Sequence, residues 1–283
     1  MQRNRTIIYI GTEYNPKTCL GLSAIVNNGW KVILAIAYIP SKPKASGGGM
    51  SDWKSKILGL YRDFSPTSYY CLRNIFRHCS SRIANLEKIY IPAIPSMRSI
   101  CLASNIEYLS TNDKTLQTLR ERIEKYAPAV ILSNGWQFRI RGEIISSASL
   151  IALNCHSSYL PEYRGGNVTF APLINEEKTS GVTVHRMIDK FDAGDILAQK
   201  RVDIVKNETP ESLNLKRAGI TGQVLCKALE VVGNPRLYKP NPPSPFYFRC
   251  NYSTFRRYKR INYFRKKFGM PIKRYNPKER YDI

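Results

Sequence analysis

Two short apolar runs with a helical stretch between them open the chain, and this order restricts the possible folds most. Residues 6–11 (TIIYIG) and 30–39 (WKVILAIAYI) have the β-branched and aromatic composition of buried strands. Residues 17–28 carry apolar side chains at helical spacing. Because two strands joined through a helix of this length form a β-α-β unit, we expect a parallel sheet covered by helices.

The same alternation continues along most of the chain. Further strands are predicted at 88–92, 106–109, 129–134, 149–154, 180–187 and 196–204. Helices are predicted at 96–104, 113–126, 142–147, 167–175 and 210–232, the last with Thr209 as its N-cap and Pro210 in its first turn. Residues 40–87 interrupt the pattern and are predicted to be an insertion. The fold class is therefore α/β.

Positive charge is concentrated at the C-terminus. The 283 residues carry a formal net charge of +23, and residues 236–283 contain 14 Lys and Arg against two acidic residues. We divide the chain into a main α/β domain at 1–205 and a C-terminal helix with a basic, aromatic-rich extension at 206–283. Such a surface attracts nucleic acid, nucleotide-linked substrates or an acidic membrane face. The alternative is that the charge reflects solubility and biased genome composition.

The sequence lacks the usual signals of a transmembrane helix, a signal peptide and a cysteine metal site. No run of about 20 apolar residues is present, so no transmembrane helix is expected. The N-terminus enters a predicted strand directly, which is not typical of a signal peptide. The seven cysteines are an odd number without paired metal-ligand spacing, which favours reduced thiols, a cytoplasmic location and no metal site.

Asn154 and His156 follow one another at alternate positions where the predicted strand 149–154 ends. Residues i and i+2 of a strand point to the same side, and open α/β sheets bind ligands at the carboxyl ends of their strands. An amide donor beside an imidazole suits a reaction that builds negative charge on oxygen. The alternative is that Asn154 only caps the strand and His156 is a satisfied buried histidine.

A carboxylate, Asp192, lies in the predicted turn between the strands 180–187 and 196–204. From this turn it can reach a histidine at the strand ends, raise the pKa of that histidine and help relay protons. The Asp-Ala-Gly sequence by itself is typical of an ordinary turn. His185, on the strand before it, is interpreted as a packed strand residue.

Taken together, LNCHSSYLPEYRGG (153–166) and SGVTVHRMIDKFDAGDIL (180–197) resemble the 10-formyltetrahydrofolate-dependent formyltransferases. That family includes methionyl-tRNA formyltransferase, glycinamide ribonucleotide formyltransferase and the sugar N-formyltransferases. The opening strand, Gly-Thr turn and helix resemble the methionyl-tRNA branch. The resemblance covers residues 5–205 and implies a Rossmann-like formyltransferase fold with a mostly parallel central sheet flanked by helices, to which the basic extension is appended.

The resemblance also implies roles for particular residues. Asn154 and His156 would stabilise the tetrahedral intermediate formed when an amine attacks the formyl carbon. Asp192 would keep His156 correctly charged and help to remove the surplus proton. The co-substrate would be 10-formyltetrahydrofolate, with no metal. The residues implied to wall its pterin pocket are Phe138, Arg139, Ile140, Ile188 and Asp189.

The sequence specifies the amine acceptor less closely than it specifies the formyl donor. Residues 11–17 (GTEYNPK) contain one glycine and lack the glycine-rich phosphate loop expected for a small ribonucleotide acceptor. Only about 50 residues follow the helix ending near 232, which is short for the β-rich second domain of the tRNA enzyme. We therefore expect an anionic small molecule, a nucleotide-linked amino sugar, as acceptor. The alternatives are a tRNA-directed enzyme, a 10-formyltetrahydrofolate hydrolase and a non-catalytic RNA-binding protein; the oligomeric state is left open.

Overall fold

A seven-stranded sheet forms the centre of the protein. The structure, a computed structural model, describes residues 5–40, 94–166, 168–245, 250 and 252–276. The strands are β1 (Ile7–Thr12), β2 (Val32–Tyr38), β3 (Glu107–Thr111), β4 (Val130–Asn134), β5 (Ile151–His156), β6 (Thr179–Arg186) and β7 (Ile196–Asp203). Their spatial order is β3-β2-β1-β4-β5-β6-β7. The first five are parallel, and β6 and β7 are antiparallel to their neighbours, so the predicted mostly parallel sheet is confirmed.

Helices cover both faces of this sheet. They are α1 (Pro16–Asn27), α2 (Met97–Ala103), α3 (Arg120–Lys125), α4 (Gly142–Ser146), α5 (Phe170–Ile174), α6 (Pro210–Val231) and α7 (Tyr252–Lys267). One apolar layer joins the sheet to α1, α2 and α6, and a second joins it to α3 and α4. The N-terminus of α6 is capped as predicted, because the Thr209 hydroxyl accepts a hydrogen bond from the Ser212 amide at 3.1 Å.

The predicted helix at 113–126 is wrong in its first half. Asp113 accepts hydrogen bonds from the amides of Thr115 (2.8 Å) and Thr118 (2.9 Å), and Leu116 has a left-handed φ of 61°. A short polar side chain that bonds to nearby amides favours a turn over a helix. Only a 3₁₀ turn (Gln117–Leu119) and the short α3 follow.

The strand that carries Asn154 is displaced from its predicted bounds. It was predicted at 149–154, and β5 instead runs from Ile151 to His156. Antiparallel pairing with β6 extends it, with Asn154 opposite His185 and His156 opposite Thr183. Both candidate catalytic side chains therefore stand on a paired strand and not on a frayed end.

The C-terminal extension contains more regular structure than the sequence predicts. The helix α7 packs on α5, and its Phe255 and Tyr258 are buried in an apolar cluster with Phe170. The predicted insertion beyond Pro40, the predicted strand 88–92 and Cys71 and Cys79 lie outside the described residues. Cys101, Cys155 and Cys250 are free thiols. Within the described part of the chain, every helix is too short or too polar to cross a membrane.

Candidate active site

Two neighbouring strands, β5 and β6, place three polar side chains close together on one face of the sheet. Asn154 and His156 stand two residues apart on β5, and His185 stands opposite Asn154 on β6. Opposed residues of an antiparallel pair share a face, so the three side chains project to the same side. The Asn154 Nδ2 atom lies 3.2 Å from His185 Nε2, and the two imidazole ring centres are 6.4 Å apart.

Asp192 joins this group from the turn between β6 and β7. Its Oδ1 atom accepts a hydrogen bond from Asn154 Nδ2 at 3.2 Å and lies 3.6 Å from His156 Nδ1. The same oxygen is 3.3 Å from His185 Nε2. The structure thus brings together the predicted residues Asn154, His156 and Asp192 in one pocket.

The backbone of the turn explains the Asp-Ala-Gly sequence. Asp192 has a φ of 47°, in the left-handed region that Asp tolerates better than most residues. A Cβ at Gly194 would lie 2.2 Å from the carbonyl oxygen of Arg186, so only glycine fits beside β6. Asn241, from the segment after α6, donates to the carbonyl oxygens of Asp192 (2.9 Å) and Gly194 (3.2 Å) and holds the turn from outside.

The loop after β5 supplies the remaining contacts of the carboxylate. The amide of Gly165, a residue with φ of 107°, donates to Asp192 Oδ2 at 3.0 Å. The carbonyl oxygen of Tyr163 lies 3.3 Å from His156 Nε2, so it accepts the hydrogen on that nitrogen. This tautomer leaves His156 Nδ1 free to take a proton on the side that faces Asp192.

The charges of the group follow from burial and neighbours. Burial raises the pKa of Asp192, but the neighbouring His156 and His185 and the Gly165 amide outweigh it, so the pKa lies well below its usual range. Burial lowers the pKa of His156, and the Asp192 charge opposes this only in part. At neutral pH the site therefore holds an ionised Asp192 beside a neutral His156, which is the pairing of a general base with its stabilising carboxylate.

His185 is a site residue that the sequence interpretation missed. It is only 2% exposed, as expected for a packed strand residue, but it also contacts Asp192. Its Nδ1 lies 2.8 Å from the Arg186 carbonyl oxygen and donates to it, which directs Nε2 towards the carboxylate. The alternation of β6 indicates which side His185 faces, but only the register with β5 places it opposite Asn154.

A cavity of about 750 Å³ opens beside these residues. Part of its wall is aromatic and apolar and includes Trp136, Ile140 and the half-buried Phe138. Trp136 and Phe138 pack edge to face at 5.8 Å. All five residues predicted for the pterin pocket line this cavity: Phe138, Arg139, Ile140, Ile188 and Asp189. Arg139 lies on the rim, where its guanidinium contacts the Asp189 carbonyl oxygen at 3.4 Å.

This aromatic and apolar part of the wall has the properties that a flat heteroaromatic ring requires. Small-molecule sites usually have apolar and aromatic walls, with few polar groups to fix orientation. The indole nitrogen of Trp136 is buried and donates to none of the described residues, so it is available to a ligand acceptor. The described residues fit a pterin and contain no cluster of three or more metal-ligating side chains.

The wall of the cavity also contains two cations that the sequence interpretation did not single out. Lys17, half-buried at the start of α1, donates through Nζ to the Cys155 carbonyl oxygen (2.6 Å) and to Ser157 Oγ (2.9 Å). Arg217, on α6, is 1% exposed. Both line the same cavity as His156, although Arg217 lies beyond the predicted domain boundary at residue 205.

Comparisons with known proteins agree with this architecture. A family model described as "Formyl transferase" matches residues 80–229. Glycinamide ribonucleotide transformylase 1 from Symbiobacterium toebii is 15% identical, with a TM-score of 0.56 over 84% of this chain and 94% of that one. Phosphoribosylglycinamide formyltransferase from Coxiella burnetii is 19% identical, with a TM-score of 0.51 over 80% and 85%.

A sugar 3N-formyl transferase, WlaRD, solved in the presence of dTDP and 5-N-formyl-THF, is also similar. It is 19% identical, with a TM-score of 0.52 over 87% of this chain and 70% of that one. At these identities the solved structures establish the fold, and the family model, which spans more than half of the chain, establishes the family. This chain therefore belongs to the formyl transferase family and is a formyltransferase that uses 10-formyltetrahydrofolate.

Proposed function

We propose that this enzyme transfers the formyl group of 10-formyltetrahydrofolate to the primary amine of a nucleotide-linked amino sugar. The observation that carries the choice of acceptor is the placement of Lys17 and Arg217 in the wall of the catalytic cavity. Two cations beside a neutral His156 suit an acceptor that carries a phosphate or pyrophosphate near its amine.

Lys17 has a donor available for such an anion. An ammonium group has three N–H donors, and Cys155 and Ser157 accept two of them. Burial and, to a smaller extent, the positive charge of Arg217 lower the pKa of Lys17. A phosphate oxygen would stabilise the charged form, so anion binding and protonation of Lys17 favour each other.

Arg217 contributes a second, more rigid cation. Its guanidinium donates to Thr169 Oγ1 (3.0 Å), to the Val168 carbonyl oxygen (3.3 Å) and to Ser180 Oγ, all of them neutral acceptors. Within the described part of the chain no ion pair between Arg217 and a carboxylate is present. Burial lowers its pKa to about 9, which leaves it charged at neutral pH. A buried cation held only by neutral groups is stabilised further by an anionic ligand.

The fold likeness alone does not select an acceptor, because purine-pathway and sugar enzymes share this architecture. The turn between β1 and α1 favours a nucleotide-linked sugar as the acceptor. The Glu13 carboxylate in this turn accepts hydrogen bonds from the Arg98 amide (3.3 Å) and the Tyr108 hydroxyl (3.0 Å), so it holds neighbouring segments together and does not face the acceptor. Lys17, and not a glycine-rich backbone loop, is then the group of this turn that meets a phosphate.

The chemistry follows from the positions of the polar groups. The donor would lie against the aromatic and apolar wall of the cavity. The acceptor amine attacks its formyl carbon, the bond from that carbon to N10 breaks as the tetrahedral intermediate collapses, and tetrahydrofolate leaves once N10 has taken a proton. When the donor binds, one hydrogen of Asn154 Nδ2 turns from His185 Nε2 to the formyl oxygen, where negative charge develops, and the other stays on Asp192 Oδ1 and fixes the orientation of the amide. His156 Nδ1 takes the proton that the amine releases, and Asp192 stabilises the resulting imidazolium. His185 acts through the carboxylate as a positioning residue.

The direct test of the acceptor is formyl transfer to a panel of amines. The purified enzyme, 10-formyltetrahydrofolate and separate nucleotide-linked amino sugars should yield one product heavier than its acceptor by a carbonyl group, measured by mass spectrometry. Glycinamide ribonucleotide, methionyl-tRNA and water are the competing acceptors. Preferred transfer to glycinamide ribonucleotide or to methionyl-tRNA, or release of formate without any amine product, would contradict the proposal.

The cation Lys17 is expected to serve the acceptor and not the donor. Lys17→Met should raise the KM for the nucleotide sugar about tenfold or more, the usual effect of losing a charge-assisted hydrogen bond, and leave the KM for the donor unchanged. In the parent enzyme the acceptor KM should rise as pH increases through the lowered pKa of Lys17, and Lys17→Arg should remove that rise. Lys125→Met, an exposed lysine, is the control. An equal change in both KM values would refute the assignment.

A further inference from the structure

The outward face of α7 has no role in the catalytic cavity. The helix buries Phe255, Tyr258 and Asn262 against α5 and the residues around Tyr275. No described residue after Arg217 lines the cavity. The opposite side of α7 faces solvent, so the sequence expectation of a binding or attachment surface applies to this side only.

The exposed side combines cations with apolar side chains. Residues 252–276 contain nine Lys and Arg and no acidic residue, and two of these cations, Lys266 and Arg274, form ion pairs with Glu176 and Glu177. With 100° per residue, Arg256, Arg260 and Lys267 lie on the side opposite the buried face, and all three are exposed. Charge of one sign along a helix identifies its partner as an anionic surface.

The exposed apolar side chains lie at the C-terminal end of α7, on the same side of the helix as these cations. Tyr263 is 67% exposed, Phe264 47%, Phe268 69% and Met270 45%. Phe264 and Phe268 are four residues apart and therefore adjacent on the helix surface, and the Tyr263 ring packs on Phe264 at 5.6 Å. Exposed apolar patches of this kind mark interaction sites.

We propose that α7 attaches the enzyme to a membrane surface rich in anionic phospholipid. The cations would meet lipid headgroups, and Phe264, Phe268 and Met270 would enter the boundary between headgroups and acyl chains, as in interfacial helices. Nucleic acid explains the cations equally well but leaves Met270 without a function, and the edge-to-face contact of Tyr263 with Phe264 covers aromatic surface that base stacking would use. This attachment is independent of which amine the enzyme formylates.

The test is co-sedimentation of the full-length protein with vesicles. The protein should bind vesicles of equimolar phosphatidylcholine and anionic phosphatidylglycerol, and it should not bind vesicles of pure phosphatidylcholine. Arg256→Glu/Arg260→Glu should lower the partition coefficient at least about 25-fold, since each cation near an anionic surface contributes about fivefold. Phe264→Ser/Phe268→Ser should lower it about tenfold or more.

Matched control variants separate the contribution of α7 from the general effects of net charge and exposed apolar surface. Lys125→Glu/Lys227→Glu removes the same charge from exposed positions elsewhere, and Leu102→Ser removes a side chain that is 73% exposed. Both should bind vesicles within about twofold of the parent, because screening limits the reach of distant charges. Every variant should keep the parent's rate of formyl transfer and the parent's midpoint temperature of thermal unfolding. Equal losses in the controls, absence of vesicle binding, or α7-dependent binding of tRNA alone would overturn the proposal.

Discussion

Replacing His156 with alanine is expected to lower kcat by at least about 100-fold while the fold stays intact, because the amine then loses its general base. The neutral form of His156 is the active one, and burial places its pKa below the ordinary value of 6.5. The parent kcat/KM should therefore fall only when pH drops below 6.5 and should be flat from there to neutrality. Steady-state kinetics across this range, with donor binding followed through Trp136 fluorescence, provide the measurement.

The control for this variant must show that the cavity is preserved. Donor affinity and the midpoint of thermal unfolding should match those of the parent, because the aromatic and apolar residues that would hold the pterin, including Trp136 and Phe138, are unchanged. Added imidazole should restore part of the activity if the missing function is proton transfer. A variant with kcat within tenfold of the parent would rule out His156 as the base.

Asp192→Asn should also cost at least about 100-fold in kcat, for a different reason. The amide keeps the size of the side chain but removes the negative charge that stabilises protonated His156. Because that charge raises the pKa of His156, its loss should move the acid limb of kcat/KM to still lower pH. His156→Ala cannot show this displacement, so the pH profile distinguishes the two roles.

The exposed carboxylate Asp189 on the same turn offers a comparison. Asp189→Asn makes the same chemical change at the cavity rim and should alter the KM for the donor more than kcat, because the residue lies in the predicted pterin pocket. Similar pH profiles for Asp192→Asn and the parent would show that Asp192 does not govern the charge of His156. The role of the carboxylate would then be reduced to holding the Asn154 amide and the Gly165 loop.

The sequence was sufficient for the positions of most described strands, for a mostly parallel sheet and for part of the site. Buried parallel strands are short continuous apolar runs, and helices between them repeat at their own period, so the alternation is visible in the amino acids themselves. The spacing of Asn154 and His156 determines that they share one face, because the period of a strand is two residues. Gly194 marks the place where a strand backbone approaches the Asp192 turn.

Only the tertiary structure brought His185, Lys17 and Arg217 to the same place. Arg217 and Lys17 are 200 residues apart and line one cavity because α6 packs on α1, where a Cβ at Gly222 would lie 2.3 Å from Ala24 Cβ. His185 contacts Asp192 because the register of β6 on β5 sets it opposite Asn154. Local periodicity shows which face of an element is buried. The neighbour of that face, and the register in which they meet, are decided by packing across the whole core.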